Sequence, residues 1–158
     1  MAGRQVTVRL DPSQPVQNVR RIQVSAMLRT RLPNDPGGDT AAQNRFTALR
    51  QFQLLACRAE GGVDCTQDRD FKVVFTSAAN AFPSVAPRPR APDLIIRSFD
   101  IPRVRATHVR LRVLTNQCTG TPVYAGDQDD DPLNTTDCAA GSVQDDNVRA
   151  AELQVFSQ

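Results

Sequence analysis

Short runs of alternating apolar and polar residues, each cut off by turn formers, recur along the chain and leave room for little except antiparallel sheet. Val6-Thr7-Val8-Arg9-Leu10 alternates and stops at Asp11-Pro12. Residues 19–28 repeat the pattern, with Ile22, Val24, Ala26 and Leu28 set against Arg21, Gln23 and Ser25. Residues 46–57 put Phe52, Leu54 and Ala56 on one face and Gln51, Gln53 and Leu55 on the other. Further strands are predicted over residues 71–75, 94–99, 107–114 and 151–156. Between them, residues 29–44 carry Pro33 and Asn34-Asp35-Pro36-Gly37-Gly38, and residues 84–92 carry Pro87, Pro89 and Pro92. Both segments read as exposed connections.

The charged residues point away from helix as well. Lys72 is the only lysine, and Glu60 and Glu152 are the only glutamates; arginine and aspartate do the rest. Aspartate is a poor helix-interior residue, and lysine and glutamate are the usual solvated helix formers. With 11 prolines and 8 glycines added, the fold class predicted is all-β, an antiparallel β-sandwich. At 158 residues, one domain over residues 1–158 suffices to bury a core as a monomer.

A formal net charge of +2 is too small for a nucleic-acid role, which needs a concentrated basic field. No apolar run approaches the ~20 residues of a membrane helix, so no membrane insertion is expected. The first residues lack the apolar core of a signal peptide, and strand-like sequence begins at Val6. The chain therefore reads as a piece of a larger protein.

Four cysteines allow three pairings. Cys57 and Cys65 bracket a Gly61-Gly62 turn, and Cys118 and Cys138 bracket a polar loop, so the local pairs Cys57–Cys65 and Cys118–Cys138 are predicted. In the chain-entropy model these rings contribute roughly 2.6 and 3.3 kcal/mol. Such bonds persist in an oxidising compartment, which predicts a secreted, extracellular protein. Zinc needs closely spaced ligand pairs, and none occurs beside the one histidine, His108.

The order of the pieces resembles the discoidin-like, galactose-binding-domain-like jelly roll. Residues 6–11, 19–25, 52–56, 99–113 and 150–156 correspond to its successive strands; the most specific stretch is Ser98-Phe99-Asp100-Ile101-Pro102 running into Ala106-Thr107-His108-Val109-Arg110-Leu111-Arg112-Val113. More narrowly, residues 3–8, 24–29 and 48–52 resemble the C-terminal accessory region of secreted bacterial fungalysin-type metallopeptidases. That resemblance implies a zinc endopeptidase as parent, with its HExxH helix elsewhere. The chain begins at a strand that follows another segment in the discoidin pattern, so an edge strand is expected to be missing. In related carbohydrate-binding modules the missing segment, with the closing glutamate, holds a structural calcium; Glu152 after Ala151 matches that glutamate.

Asp127, Asp129 and Asp131, with Asp130 and Asp137 nearby, concentrate carboxylates between two cysteines. With Glu152 they are the candidate calcium ligands, since this ion takes six to eight oxygens; a solvated acidic loop is the other reading. Glu152 alternatively pairs with Arg110 or Arg112. His108 has no nucleophile beside it and no Gly-x-Ser-x-Gly elbow occurs, so no catalytic residues are assigned. The chain has no Trp and one Tyr, Tyr124, which weighs against sugar stacking, and the phenylalanines read mostly as core. Asn134-Thr135-Thr136 is a formal glycosylation sequon. Arg29 and Arg31 in one long connection, Arg88 and Arg90 in the other, and Arg103 and Arg105 beyond them are the candidate contacts for an anionic partner.

The function expected is thus a non-catalytic accessory domain that tethers its parent enzyme to a cell-surface glycan or protein. The alternatives are a structural domain that stabilises the parent and a carbohydrate-binding module.

Overall fold

The computed structural model describes residues 4–14, 16–26, 45–83, 96–121, 138 and 147–157. Within them lie seven strands: β1 (Gln5–Arg9), β2 (Gln17–Ser25), β3 (Leu49–Cys57), β4 (Lys72–Thr76), β5 (Arg97–Ala106), β6 (His108–Asn116) and β7 (Glu152–Ser157). They form a four-stranded sheet, β1-β6-β3-β4, and a three-stranded sheet, β5-β2-β7. Every strand pairing is antiparallel, and the two sheets enclose a common core, so the fold is the predicted antiparallel β-sandwich. Among the described residues no helix is long and apolar enough to cross a membrane.

The alternation sets which side chains the sandwich buries. Val19, Ile22, Val24 and Ala26 from β2 and its end meet Leu49, Phe52, Leu54, Val109, Leu111 and Val113 from β3 and β6. Phe52 lies edge-on to Phe99 of the other sheet, with ring centroids 5.0 Å apart at 82°. Phe75 and Phe82 both approach Phe99 at 6.1 Å. Phe46 departs from the predicted strand: it sits in a single 3-10 turn, Arg45–Thr47, buried against Cys118 and Cys138.

β5 is longer than the sequence suggests, running through Pro102 to Ala106. Proline is tolerated here because β5 is an outer strand of the sheet and Pro102 falls at an irregularity. Val19 pairs with Val104, but Arg21 pairs with Asp100, so β5 carries two extra residues there.

Both predicted disulfides are present, Cys57–Cys65 and Cys118–Cys138. The first ring includes Gly61 and Gly62 at φ of 62° and 88°, which a residue with a Cβ adopts only at a cost. This β3–β4 connection folds over the outer face of the four-stranded sheet, where Leu55, Cys57, Cys65 and Phe71 form a second small core. Arg110 is trapped beneath it at 5% exposure. Its guanidinium lies 3.7 Å from the centroid of the Phe71 ring and donates to Thr7 Oγ1 at 2.7 Å and Asp68 Oδ1 at 2.5 Å. Pairing of Glu152 with Arg110 or Arg112 is therefore corrected. Those arginines lie on β6 and bond to Asp68, Thr7 and Gln5, whereas Glu152 belongs to the opposite sheet.

Acidification should weaken this fold in two steps. Burial, together with the Arg9 charge, holds His108 below its ordinary value of 6.5. The unfolded chain therefore takes up this proton more readily. The His108 contribution is complete above pH 6.5 and is lost as pH falls toward the folded-state value. Asp68 is held low by the Gln5 amide and then by Arg110, Asp11 by Ser13, and Asp64 by Thr66. Their contribution is present above the usual carboxylate value, about pH 4, and disappears as pH falls through the depressed folded-state values. Urea midpoints should drop over both ranges, His108→Gln removing the upper step and Asp68→Asn shrinking the lower. A flat profile from about pH 7 to about pH 3 would contradict it.

Candidate functional site

A bulge in β2 shapes the outer face of the three-stranded sheet. Val19 and Ile22 both point into the core, yet two residues separate them, and both Arg20 and Arg21 are exposed. Against β7, Val19 pairs with Ser157 and Arg21 with Phe156, so Arg20 is the extra residue. Bulges re-aim side chains in this way; here two adjacent guanidinium groups face outward.

The same face carries two polar rungs across three strands. Asp100, Arg21 and Phe156 form one, and Ser98, Gln23 and Gln154 form the other. Arg21 Nε donates to Asp100 Oδ1 at 2.7 Å, and Gln23 Nε2 donates to Ser98 Oγ at 2.9 Å. The side chains of Arg21 and Asp100 are 54% and 77% exposed; so open a pair adds about 1 kcal/mol at most, and its effect is to orient the guanidinium. Phe156 is 38% exposed. Arg20, Arg21, Gln23, Asp100, Ile101 and Phe156 line a cleft of about 380 Å³, within the range of small-ligand sites.

Arg103 and Arg105 extend the face along β5. Arg103 Nε donates to Asn18 Oδ1 at 3.1 Å, and Arg105 stands opposite Asn18 in the ladder. The sequence singled out this pair but not the cleft beside it. Arg20, Arg21 and Phe156 were missed, although their signals were present. Arg20-Arg21 breaks the alternation between Val19 and Ile22, and Phe156 follows Val155, whose inward position turns it outward. Assignment of the phenylalanines mostly to core does not extend to this ring.

The other candidates are dispersed. Glu152 stands on the same outer face, opposite Ser25, and accepts from Gln154 Nε2 at 2.5 Å. Among the described residues no three His, Cys, Asp or Glu side chains gather as a metal site. Of the candidate calcium ligands only Glu152 lies among the described residues. Asp127, Asp129, Asp131, Asp137, Arg29, Arg31, Arg88, Arg90, Tyr124 and the 134–136 sequon lie outside the described residues. His108 has its Nδ1 2.9 Å from Thr107 Oγ1. This arrangement offers hydrogen-bond donors, acceptors and a ring face, which suits binding.

No protein-family model matches this sequence, and no curated protein matches it. Among solved structures the chain is similar to a family 32 carbohydrate-binding module from Streptococcus pneumoniae EndoD, at 15% identity and a TM-score of 0.38. The match covers 73% of this chain and 60% of that one, so the chain matches less than two thirds of that structure's length. The overlap is too loose to bear on ligand or on residue roles, which rest on the geometry above.

Proposed function

We propose that this chain is a non-catalytic binding module of an extracellular protein, holding that protein to a glycan through the outer face of the β5-β2-β7 sheet. The observation that carries this reading is the cleft, where the exposed Phe156 ring lies beside the Arg21–Asp100 pair and Gln23. A pyranose presents an apolar ring face and a rim of hydroxyls. The phenyl ring suits the first, and planar polar groups that donate and accept together suit the second. Two disulfides fit an oxidising compartment. A zinc endopeptidase as parent rests on the resemblance of residues 3–8, 24–29 and 48–52 to the accessory region of such enzymes. A purely structural role calls for a contiguous apolar face, whereas exposed Val6 and Val73 lie on β1 and β4, at opposite edges of the four-stranded sheet.

The 158-residue chain should bind at least one polysaccharide in a panel of neutral and acidic polymers. Phe156→Ala should weaken binding about fivefold to tenfold, the loss of about 1 kcal/mol of ring contact, with little change in melting midpoint. Failure to bind any polymer, or full binding by Phe156→Ala, would remove the reading.

A further inference from the structure

We infer that the cleft takes the acidic group of an anionic glycan, a carboxylate or sulfate held by Arg20 and the Nη groups of Arg21, with the sugar ring against Phe156. The inference rests on the glycan-binding reading and adds the charge of the ligand. Among the described residues four arginines stand on this face: Arg20, Arg21, Arg103 and Arg105. Among the described residues two carboxylates stand there with them. Glu152 is at the far end of β7, bonded to Gln154. Asp100 takes only the Nε of Arg21.

Arg20 makes no hydrogen bond or ion pair among the described residues, and neither do the Nη groups of Arg21. Two guanidinium groups on consecutive residues repel each other. The bulge that turns Val19 into the core beside Ile22 leaves both guanidinium groups outside, side by side. An anion in the cleft supplies the missing counter-charge. The planar fork of arginine matches the paired oxygens of a carboxylate or sulfate, and Asp100 fixes the plane of one fork in advance.

The observations favour a glycan over other polyanions. Nucleic acid tracks a long basic groove with several stacking rings, while this cleft has one ring, Phe156, and about 380 Å³. The Gln23–Ser98 pair beside it suits hydroxyls, which an acidic peptide offers sparsely.

The test is calorimetry of the whole chain at low salt with polygalacturonate, dextran sulfate and neutral dextran, and with poly-L-glutamate and duplex DNA as non-glycan polyanions. Polygalacturonate or dextran sulfate should bind at least tenfold more tightly than dextran; whichever leads identifies the acid group as carboxylate or sulfate. Arg20→Ala with Arg21→Ala should cost tenfold or more, Arg20→Lys should retain part of the affinity, and added salt should weaken binding as it screens exposed charge. Phe156→Ala should weaken glycan binding without altering the salt dependence. Equal affinity for dextran, lost in Phe156→Ala, would overturn the anionic assignment and leave the glycan reading standing. Poly-L-glutamate or DNA binding as well as the acidic glycans would overturn it in favour of a non-glycan polyanion. No binding of any polymer would remove both.

Discussion

Phe52→Ala should destabilise the chain by about 3–5 kcal/mol, the range for truncating a buried phenylalanine. Phe52 has no solvent exposure and sits on β3, an interior strand between β6 and β4. Its ring meets Phe99 of the opposite sheet at 5.0 Å and Phe75 of its own at 6.1 Å. Truncation therefore removes the shortest of the ring contacts across the sheets and leaves a cavity that rigid strands cannot close. For a chain of this size the melting midpoint should fall by about 10 °C or more. Phe52→Leu should cost less, because it keeps most of the volume. A loss below about 1 kcal/mol in urea unfolding would mean that this ring is not packed in the core between the sheets.

Removing the Cys118–Cys138 bond as the double alanine variant should cost about 3.3 kcal/mol by loop closure. The bond spans 20 positions and is anchored in a buried polar joint. Gln117 is wholly buried and donates to the carbonyls of Phe82 and Leu49 at 3.0 and 3.3 Å. Asn116 Nδ2 donates to Asn147 O at 2.7 Å, and the Cys118 amide donates to Phe46 O. These bonds tie the end of β6 to the start of β3, to the segment after β4 and to the segments before β3 and β7, so the loss should appear at equilibrium and also as faster unfolding. The Cys57–Cys65 double variant should cost less, about 2.6 kcal/mol for its shorter ring. Unchanged unfolding midpoints in both variants would refute the account.

The strands were legible because alternation and turn residues are local signals, and the disulfides because short polar loops separated the cysteines. Arg110 was not, since its flanking Val109 and Leu111 place it on what reads as a solvated face. It is buried by Phe71, a residue 39 positions away whose arrival depends on how the Cys57–Cys65 loop folds back; alternation within β6 carries no trace of that. Leu55, apolar on a polar face, was the hint, and it packs in the same cluster. Pro102 misled because proline normally stops a strand, while an outer strand with a bulge accommodates it. The cleft was half legible: Arg20-Arg21 and Val155-Phe156 each break the period of two, but their meeting depends on the β2–β7 register, which is a long-range property.

The chain has one lysine, Lys72, and it is exposed on β4, an outer strand of the four-stranded sheet. The cleft lies on the other sheet. Amine-directed coupling of a dye or a sensor surface to this side chain therefore attaches the molecule by the sheet opposite its proposed binding face. A coating attached through Lys72, and not through the α-amino group that the same chemistry modifies, presents the cleft to solution, and a label placed there leaves Arg20, Arg21 and Phe156 uncovered.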